Sequence, residues 1–147
     1  MIGQVLLLGL VAIFGVQHVP AVTLDGPFDQ VVLAVGIAEM AIGVWALLNA
    51  FRELGPNLTP LPRPAARSSL VRSGIYARLR HPIYAGLMLA SLGWATATRS
   101  LPAFASAVVL CLFFDVKARR EEAWLVERYP EYAAYRLQTR RFLPGVY

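Results

Sequence analysis

A single cysteine, Cys111, lies inside an apolar run, so no disulfide framework can form and nothing marks the redox compartment. Histidine is almost as scarce. His18 and His81 stand far from each other and from Cys111, which makes a structural zinc site unexpected. The chain also lacks a G-x-G-x-x-G loop and any strand–helix alternation to hold one, so a soluble nucleotide-binding fold is excluded. Charge is sparse, at 16% of the 147 residues against 57% hydrophobic, and the mean hydropathy is +0.54. A chain of that balance is too apolar for an ordinary soluble domain and reads as one all-α integral membrane domain. Its net charge of +5 does not point to nucleic acid, because the basic residues alternate with long apolar runs and form no exposed aromatic–basic motif.

What the chain does have is apolar segments of membrane length. Residues 2–24 are almost continuously apolar, interrupted by Gln4, Gln17 and His18, and predict a first span. No positive charge precedes that stretch and no small-x-small site follows it, which argues against a cleaved leader. His18 is read as an interfacial histidine rather than a ligand. Asp25-Gly26-Pro27 supplies a turn, and residues 28–51 predict a second span with Glu39 in its middle. An acid at that depth costs about 2.5–3.5 kcal/mol to insert, so Glu39 either makes a polar contact inside the bundle, pairs with a helix neighbour or stays protonated. Residues 83–98 and 101–116 form two shorter segments parted only by Arg99-Ser100, which predicts a tight hairpin. Ala85, Gly86, Ala90, Ser91 and Gly93 permit close helix approach there, and Trp94 is read as a packing aromatic.

The arginines set the expected topology. The connector 52–80 carries Arg52, Arg63, Arg67, Arg72, Arg78 and Arg80, whereas the loop between the first two spans has Asp25 and Asp29 but no lysine or arginine. The connector is therefore expected in the cytoplasm. Its Pro56, Pro60, Pro62 and Pro64 exclude regular structure until about residue 65. Residues 117–141 are again basic and predict cytoplasmic helices, the first running to about Tyr129 and the second able to start at Pro130. Four spans with both ends inside follow.

The stretch 70–86 concentrates the chemistry. Arg72, Arg78, Arg80 and His81 fall just before Pro82, which suits the first turn of a helix. Cations at that boundary can hold an anionic group beside the positive helix end. The order S-G-I-Y-x-x-x-R-H-P-x-Y-x-G from Ser73 resembles the signature of the integral-membrane isoprenylcysteine carboxyl methyltransferase family, whose wider relatives include phospholipid-amine methyltransferases. A second block, Glu121-Glu122-x-x-Leu125, then Tyr132-x-x-Tyr135, then Arg141-Phe142-Leu143-Pro144, resembles that family's C-terminal block in the same order. Arg52-x-x-Gly55 with Asn57 and Pro60 adds a weaker match.

The resemblance implies a methyltransferase that uses S-adenosylmethionine at the cytoplasmic boundary of the lipid bilayer, with a lipophilic acceptor. It implies Arg80 as the catalytic residue, Tyr76, His81, Tyr84, Gly86, Glu121 and Glu122 as cofactor-binding residues, and Tyr132 and Tyr135 as substrate or structural support; Glu39, outside the resemblance, joins the support group only by its position in the second span. Adjacent glutamates point about 100 degrees apart on a helix, so Glu121 and Glu122 are expected to contribute unequally. The acceptor stays open among a carboxylate, an amine and a thiol, and the chain departs from the carboxyl-methylating members by carrying Gln138 where they have an arginine. The reading from another class is a small four-span transporter with Glu39 as its coupling carboxylate, or an adaptor that keeps the fold without catalysis. The second motif block favours the enzyme.

Overall fold

The computed structural model describes residues 2–17, 22, 26–55 and 70–145. His18, Asp25, Arg63, Arg67 and the proline-rich part of the connector fall outside the described residues. The fold is all-helical: α1 (Ile2–Gln17), α2 (Pro27–Leu54), a short 3₁₀ helix (Gly74–Ala77), α3 (Pro82–Thr98), α4 (Leu101–Arg128) and α5 (Tyr132–Gln138). No strand is present among the described residues; Leu79 and Arg140 make one isolated parallel bridge.

Proline and apolar composition explain the element bounds. Pro27 and Pro82 each open a helix where a missing amide hydrogen costs nothing. Helix α4 does not stop where its apolar run ends at Val116, because Lys117 to Arg128 is rich in arginine, glutamate and alanine, all good helix formers. It stops two residues before Pro130, since the residue preceding a proline is pushed out of helical geometry. Helices α2 and α4 are long and apolar enough to cross a membrane, and only 17% and 28% of their apolar windows are buried within the chain. Their large side chains, among them Val31, Ile37, Trp45, Val109 and Leu112, stay exposed, which suits a lipid solvent rather than a soluble core. Helices α1 and α3, at 16 and 17 residues, fall short of the usual span of about twenty.

The chain divides into two compact units, one made of residues 1–45 and 86–113, the other of residues 46–85 and 114–147. In the first unit α2 and α3 meet backbone to backbone. A Cβ added at Gly43 would lie 2.6 Å from the Ala90 amide nitrogen, one at Gly36 would lie 2.5 Å from that of Ala97, and one at Gly93 would lie 2.6 Å from the Gly36 carbonyl oxygen. Without side chains at these positions the helices gain dispersion contacts that lipid alone does not supply. Helix α1 packs Gly15 against the Trp94 indole, and the Ser100 hydroxyl donates to the Phe14 carbonyl at 2.9 Å. Arg99, with φ 55, turns the chain between α3 and α4 and pairs with Asp29. Trp94 is thus the packing aromatic that the sequence suggests.

In the second unit the buried apolar and aromatic side chains include Tyr76, Leu79, Phe114, Ala118, Tyr132, Tyr135 and Phe142. The end of α2 holds the exit of the connector. Ser73 donates to Glu53 at 2.7 Å, and Gly74, with φ 55, lies so close to Glu53 that any side chain would collide with that carboxylate.

The glycine contacts give a direct test. Gly43→Leu should lower stability by about 1–3 kcal/mol, the usual cost of overpacking, whereas Gly9→Ala, where nothing lies within 4 Å of the added methyl, should leave stability unchanged or slightly raised. Thermal unfolding in detergent micelles measures both; equal midpoints for wild type and Gly43→Leu would contradict the packing.

Candidate functional site

The second unit brings the two motif blocks together. The strand-like segment before Pro82 lies beside the segment that follows α5: the Arg80 amide donates to the Arg140 carbonyl at 2.8 Å, the Arg140 amide to the Arg78 carbonyl at 3.0 Å, and the His81 amide to the Arg141 carbonyl at 3.2 Å. These bonds fix where Arg80 and His81 start. Their side chains then meet α4.

Glu122 is the centre of the charge. It is 3% exposed, and its Oε1 accepts from Arg80 Nε at 2.9 Å and from Arg141 Nε at 3.1 Å, while its Oε2 accepts from Arg141 Nη2 at 3.1 Å. Arg80 also gives Nη1 to the carbonyls of Arg136 and Thr139, and Arg141 gives Nη1 to Asp115 at 3.0 Å. Burial alone would raise the Glu122 carboxyl. The approach of His81 and the donors of Arg141 and Arg80 outweigh that and hold it well below the usual carboxylate range, so Glu122 is ionised at any ordinary pH.

Glu121, its neighbour, faces different company. Both of its oxygens accept from the Tyr84 hydroxyl, at 2.6 and 2.8 Å. The Tyr84 ring stacks on His81 on one side, centroids 5.4 Å apart and 4° from parallel, and on Phe114 at 4.7 Å. Lys117 Nζ sits 4.8 Å from the same ring. His81 bridges the two acids, its Nδ1 3.7 Å from Glu121 Oε2 and its Nε2 3.4 Å from Glu122 Oε1. The second approach is electrostatic rather than a hydrogen bond, and Nε2 remains a buried polar atom with no hydrogen-bond partner among the described residues.

The tyrosines of the second block lie beside this cluster. Tyr135 donates to the Tyr76 carbonyl at 2.6 Å and is pushed up to about 12 mainly by burial, so it acts as a fixed donor. Tyr132 is 1% exposed, burial and the Glu122 carboxylate raise its phenol, and its hydroxyl too has no partner among the described residues. Two unsatisfied buried polar atoms, a partly exposed carboxylate and a stacked aromatic wall suit a polar ligand that carries positive charge.

Of the residues expected from sequence, Tyr76, Arg80, His81, Tyr84, Glu121, Glu122, Tyr132 and Tyr135 all fall in this unit. Gly86 and Glu39 belong to the other one. The Gly86 carbonyl abuts Gly43, and Glu39 Oε2 is buried on α2 without a hydrogen-bond partner among the described residues. The sequence reading missed Asp115 and Glu53, and took Arg141 only as part of a motif. No local spacing signals these pairings, because the partners lie 19 to 26 residues apart.

Comparison with known proteins adds a lineage. Residues 31–132 match the phospholipid methyltransferase family. The cobalt-zinc-cadmium resistance protein CzcN of Cupriavidus metallidurans is 36% identical over 113 residues, covering 69% of this chain and 52% of that protein. The chain therefore spans about half the length of this curated relative. The eukaryotic intramembrane Ras methyltransferase ICMT (isoprenylcysteine carboxyl methyltransferase) shares the fold, with a TM-score of 0.71 at 24% identity over 78% of this chain and 43% of that one.

The adjacent glutamates should separate in experiment. Removing one partner of a buried ion pair costs about 3–5 kcal/mol, so Glu122→Gln should destabilise the protein strongly, while Glu121→Gln, which weakens the Tyr84 and His81 contacts but leaves no buried arginine unpaired, should unfold closer to the wild-type midpoint. The acid limb should differ as well. Because the Glu122 carboxyl is depressed in the folded state, its contribution is complete above the ordinary value of 4.5 and is lost as pH falls from there toward the lower folded value. Denaturation midpoints measured from pH 7 to pH 3 should show a shallower slope in Glu122→Gln; identical slopes would remove Glu122 from the centre of the unit.

Proposed function

As the chain belongs to the phospholipid methyltransferase family, among the integral-membrane methyltransferases of isoprenylcysteine carboxyl methyltransferase type, we propose that it methylates a lipophilic acceptor from S-adenosylmethionine at the cytoplasmic boundary of the bilayer. The observation that carries this reading is the cluster around His81, in which unmet polar atoms lie beside the Glu121 carboxylate and the Tyr84 ring. These residues fit the cofactor. Glu121 can pair with its ammonium or accept from a ribose hydroxyl, and His81 Nε2 and the Tyr132 hydroxyl can donate to its carboxylate. The Tyr84 face suits a neighbouring cation. Bound there, the cofactor supplies an electrophilic methyl group on a sulfonium.

The protein's share of such a displacement is alignment and exclusion of water from the nucleophile. A carboxylate acceptor needs no base. An amine or thiol must lose a proton, and Glu122, already ionised and bound by two arginines, is poorly placed to take it. Glu121 and His81 are the groups proposed for that step. Arg80 spends Nε and Nη1 on Glu122 and two carbonyls, so it also positions His81, the next residue in the chain.

The topology proposed with this function is four membrane segments, α3 and α4 forming a hairpin, with both ends inside. It is supported by the arginines of the connector and the C-terminal segment. A reporter fused after Tyr147 should behave as cytoplasmic, and a periplasmic or luminal signal would move the cofactor site to the wrong side.

Purified protein in detergent should bind S-adenosylmethionine saturably; absence of binding would overturn the proposal. Arg80→Lys keeps the charge but loses the forked donor geometry, and losing one charge-assisted bond of about 1.5–3 kcal/mol should slow single-turnover methylation roughly ten- to a hundredfold. Cofactor affinity should survive if Arg80 aligns the acceptor and should fall with the rate if it holds the cofactor's carboxylate. Wild-type values of both would exclude Arg80 from the mechanism.

A further inference from the structure

Lys117 stands in the His81 cluster, yet the proposed cofactor site gives it no task. Phe114, Lys117 and Glu121 fall at i, i+3 and i+7 on α4 and so share one face of that helix. Tyr84 lies along this face, its ring on Phe114 with centroids 4.7 Å apart and its hydroxyl donating to Glu121 at 2.6 Å. The half-buried Lys117 brings Nζ to 4.8 Å from the Tyr84 centroid and 6.0 Å from that of Phe114, within the range of a cation–π contact. His81 lies parallel to the same ring at 5.4 Å. With the imidazole and the Phe114 ring against it, Tyr84 has little face left for a cation, and Lys117 holds that part.

The ring that suits a sulfonium is therefore already in contact with an ammonium. Two positive charges brought to one aromatic ring repel each other, and a partly dehydrated site screens them less than water does. A neutral sulfur meets no such repulsion and leaves the contact between Lys117 and Tyr84 in place.

We propose that Lys117 sets the charge selectivity of the cofactor site, its ammonium competing with the sulfonium of S-adenosylmethionine for the Tyr84 ring while admitting the uncharged thioether product freely. The inference rests on the reading of this cluster as an S-adenosylmethionine site. Methyl transfer breaks the bond between sulfur and the methyl carbon and leaves its electron pair on sulfur, which loses its charge; the acceptor's own electron pair forms the new bond. The amino-acid group, ribose and adenine are common to cofactor and product, so whatever Glu121 and His81 contribute cancels when the two are compared. Lys117 has a flexible four-carbon stem and can withdraw its charge toward water, so the competition lowers affinity without closing the site.

The test measures equilibrium binding of S-adenosylmethionine and of S-adenosylhomocysteine, the demethylated product, to the full chain in detergent, for wild type, Lys117→Met and Lys117→Arg. Lys117→Met should tighten S-adenosylmethionine binding about tenfold, the scale of one partly desolvated cation–π contact, and leave S-adenosylhomocysteine binding unchanged. Lys117→Arg keeps the cation and should keep the wild-type ratio of the two affinities. Lys117→Gln, also neutral, should move the ratio in the same direction as Lys117→Met, and serves if the methionine variant lowers the ligand-free thermal midpoint. Equal weakening of both ligands in the neutral variants would make Lys117 a partner of their shared carboxylate, and an unchanged ratio would leave it a boundary lysine; either result overturns the inference. Failure of the wild type to bind either ligand would instead overturn the methyltransferase reading, and this inference with it.

Discussion

The second unit depends on one buried negative charge. A carboxylate taken out of water loses several kcal/mol of solvation, on the order of the whole stability of a small domain, and keeps its charge only if cations and hydrogen bonds replace the water. Glu122 meets that demand with two guanidinium groups drawn from opposite ends of the unit, Arg80 from the segment before α3 and Arg141 from the segment after α5. Each arginine is then tied further, Arg80 to two carbonyls and Arg141 to Asp115. The ion cluster contributes little as a source of net stability against an apolar replacement. Its consequence is positional, because the segment before α3 and the segment after α5 are held in one register.

That register matters because Arg80, His81 and Pro82 are consecutive. Holding the arginine and pairing the backbone of residues 78–81 with residues 140–141 leaves the imidazole little freedom, and Pro82 at once begins a helix whose second turn carries no bulky side chain at Gly86. His81 therefore sits between two acids that do unlike jobs. Glu122 holds the arginines. Glu121, about 100 degrees around the helix, takes its hydroxyl partner from Tyr84 on α3 and keeps a less buried carboxylate.

Much of this was legible in the sequence. Apolar length and proline placement gave the helices, because both act locally, and the order of Tyr76, Arg80, His81, Tyr84 against Glu121, Glu122, Tyr132 and Tyr135 marked the residues that the fold gathers into one unit. The unequal environments of the two glutamates followed from helix geometry alone. A helix ending near Tyr129 was expected, but as a cytoplasmic element apart from the 101–116 span; the structure joins the two in α4, which runs to Arg128, and α5 starts at Tyr132 rather than Pro130. Other features were not legible. Arg141 reaches Glu122 and Asp115 across 19 and 26 residues, and Glu53 holds Ser73 across 20; such pairings depend on tertiary placement, and one arginine among many looks the same in a string of letters. Gly86 looked like a ligand contact because it closes a motif, yet its neighbour is the backbone at Gly43, a use that small residues on any two close helices share.

The proton inventory bears on the acceptor. On the proposed reading, a displacement at a sulfonium asks the protein for a base only when the nucleophile arrives protonated. Glu122 would have to release two arginines to become one, and Tyr132 and Tyr135 are driven by burial toward staying protonated. The remaining pair, His81 and Glu121, lies about Tyr84, whose ring stacks on His81 and whose hydroxyl donates to Glu121. The fold has thus committed Glu122 and Tyr135 to holding itself together, and on the proposed reading His81 and Glu121 are the groups left to take a proton.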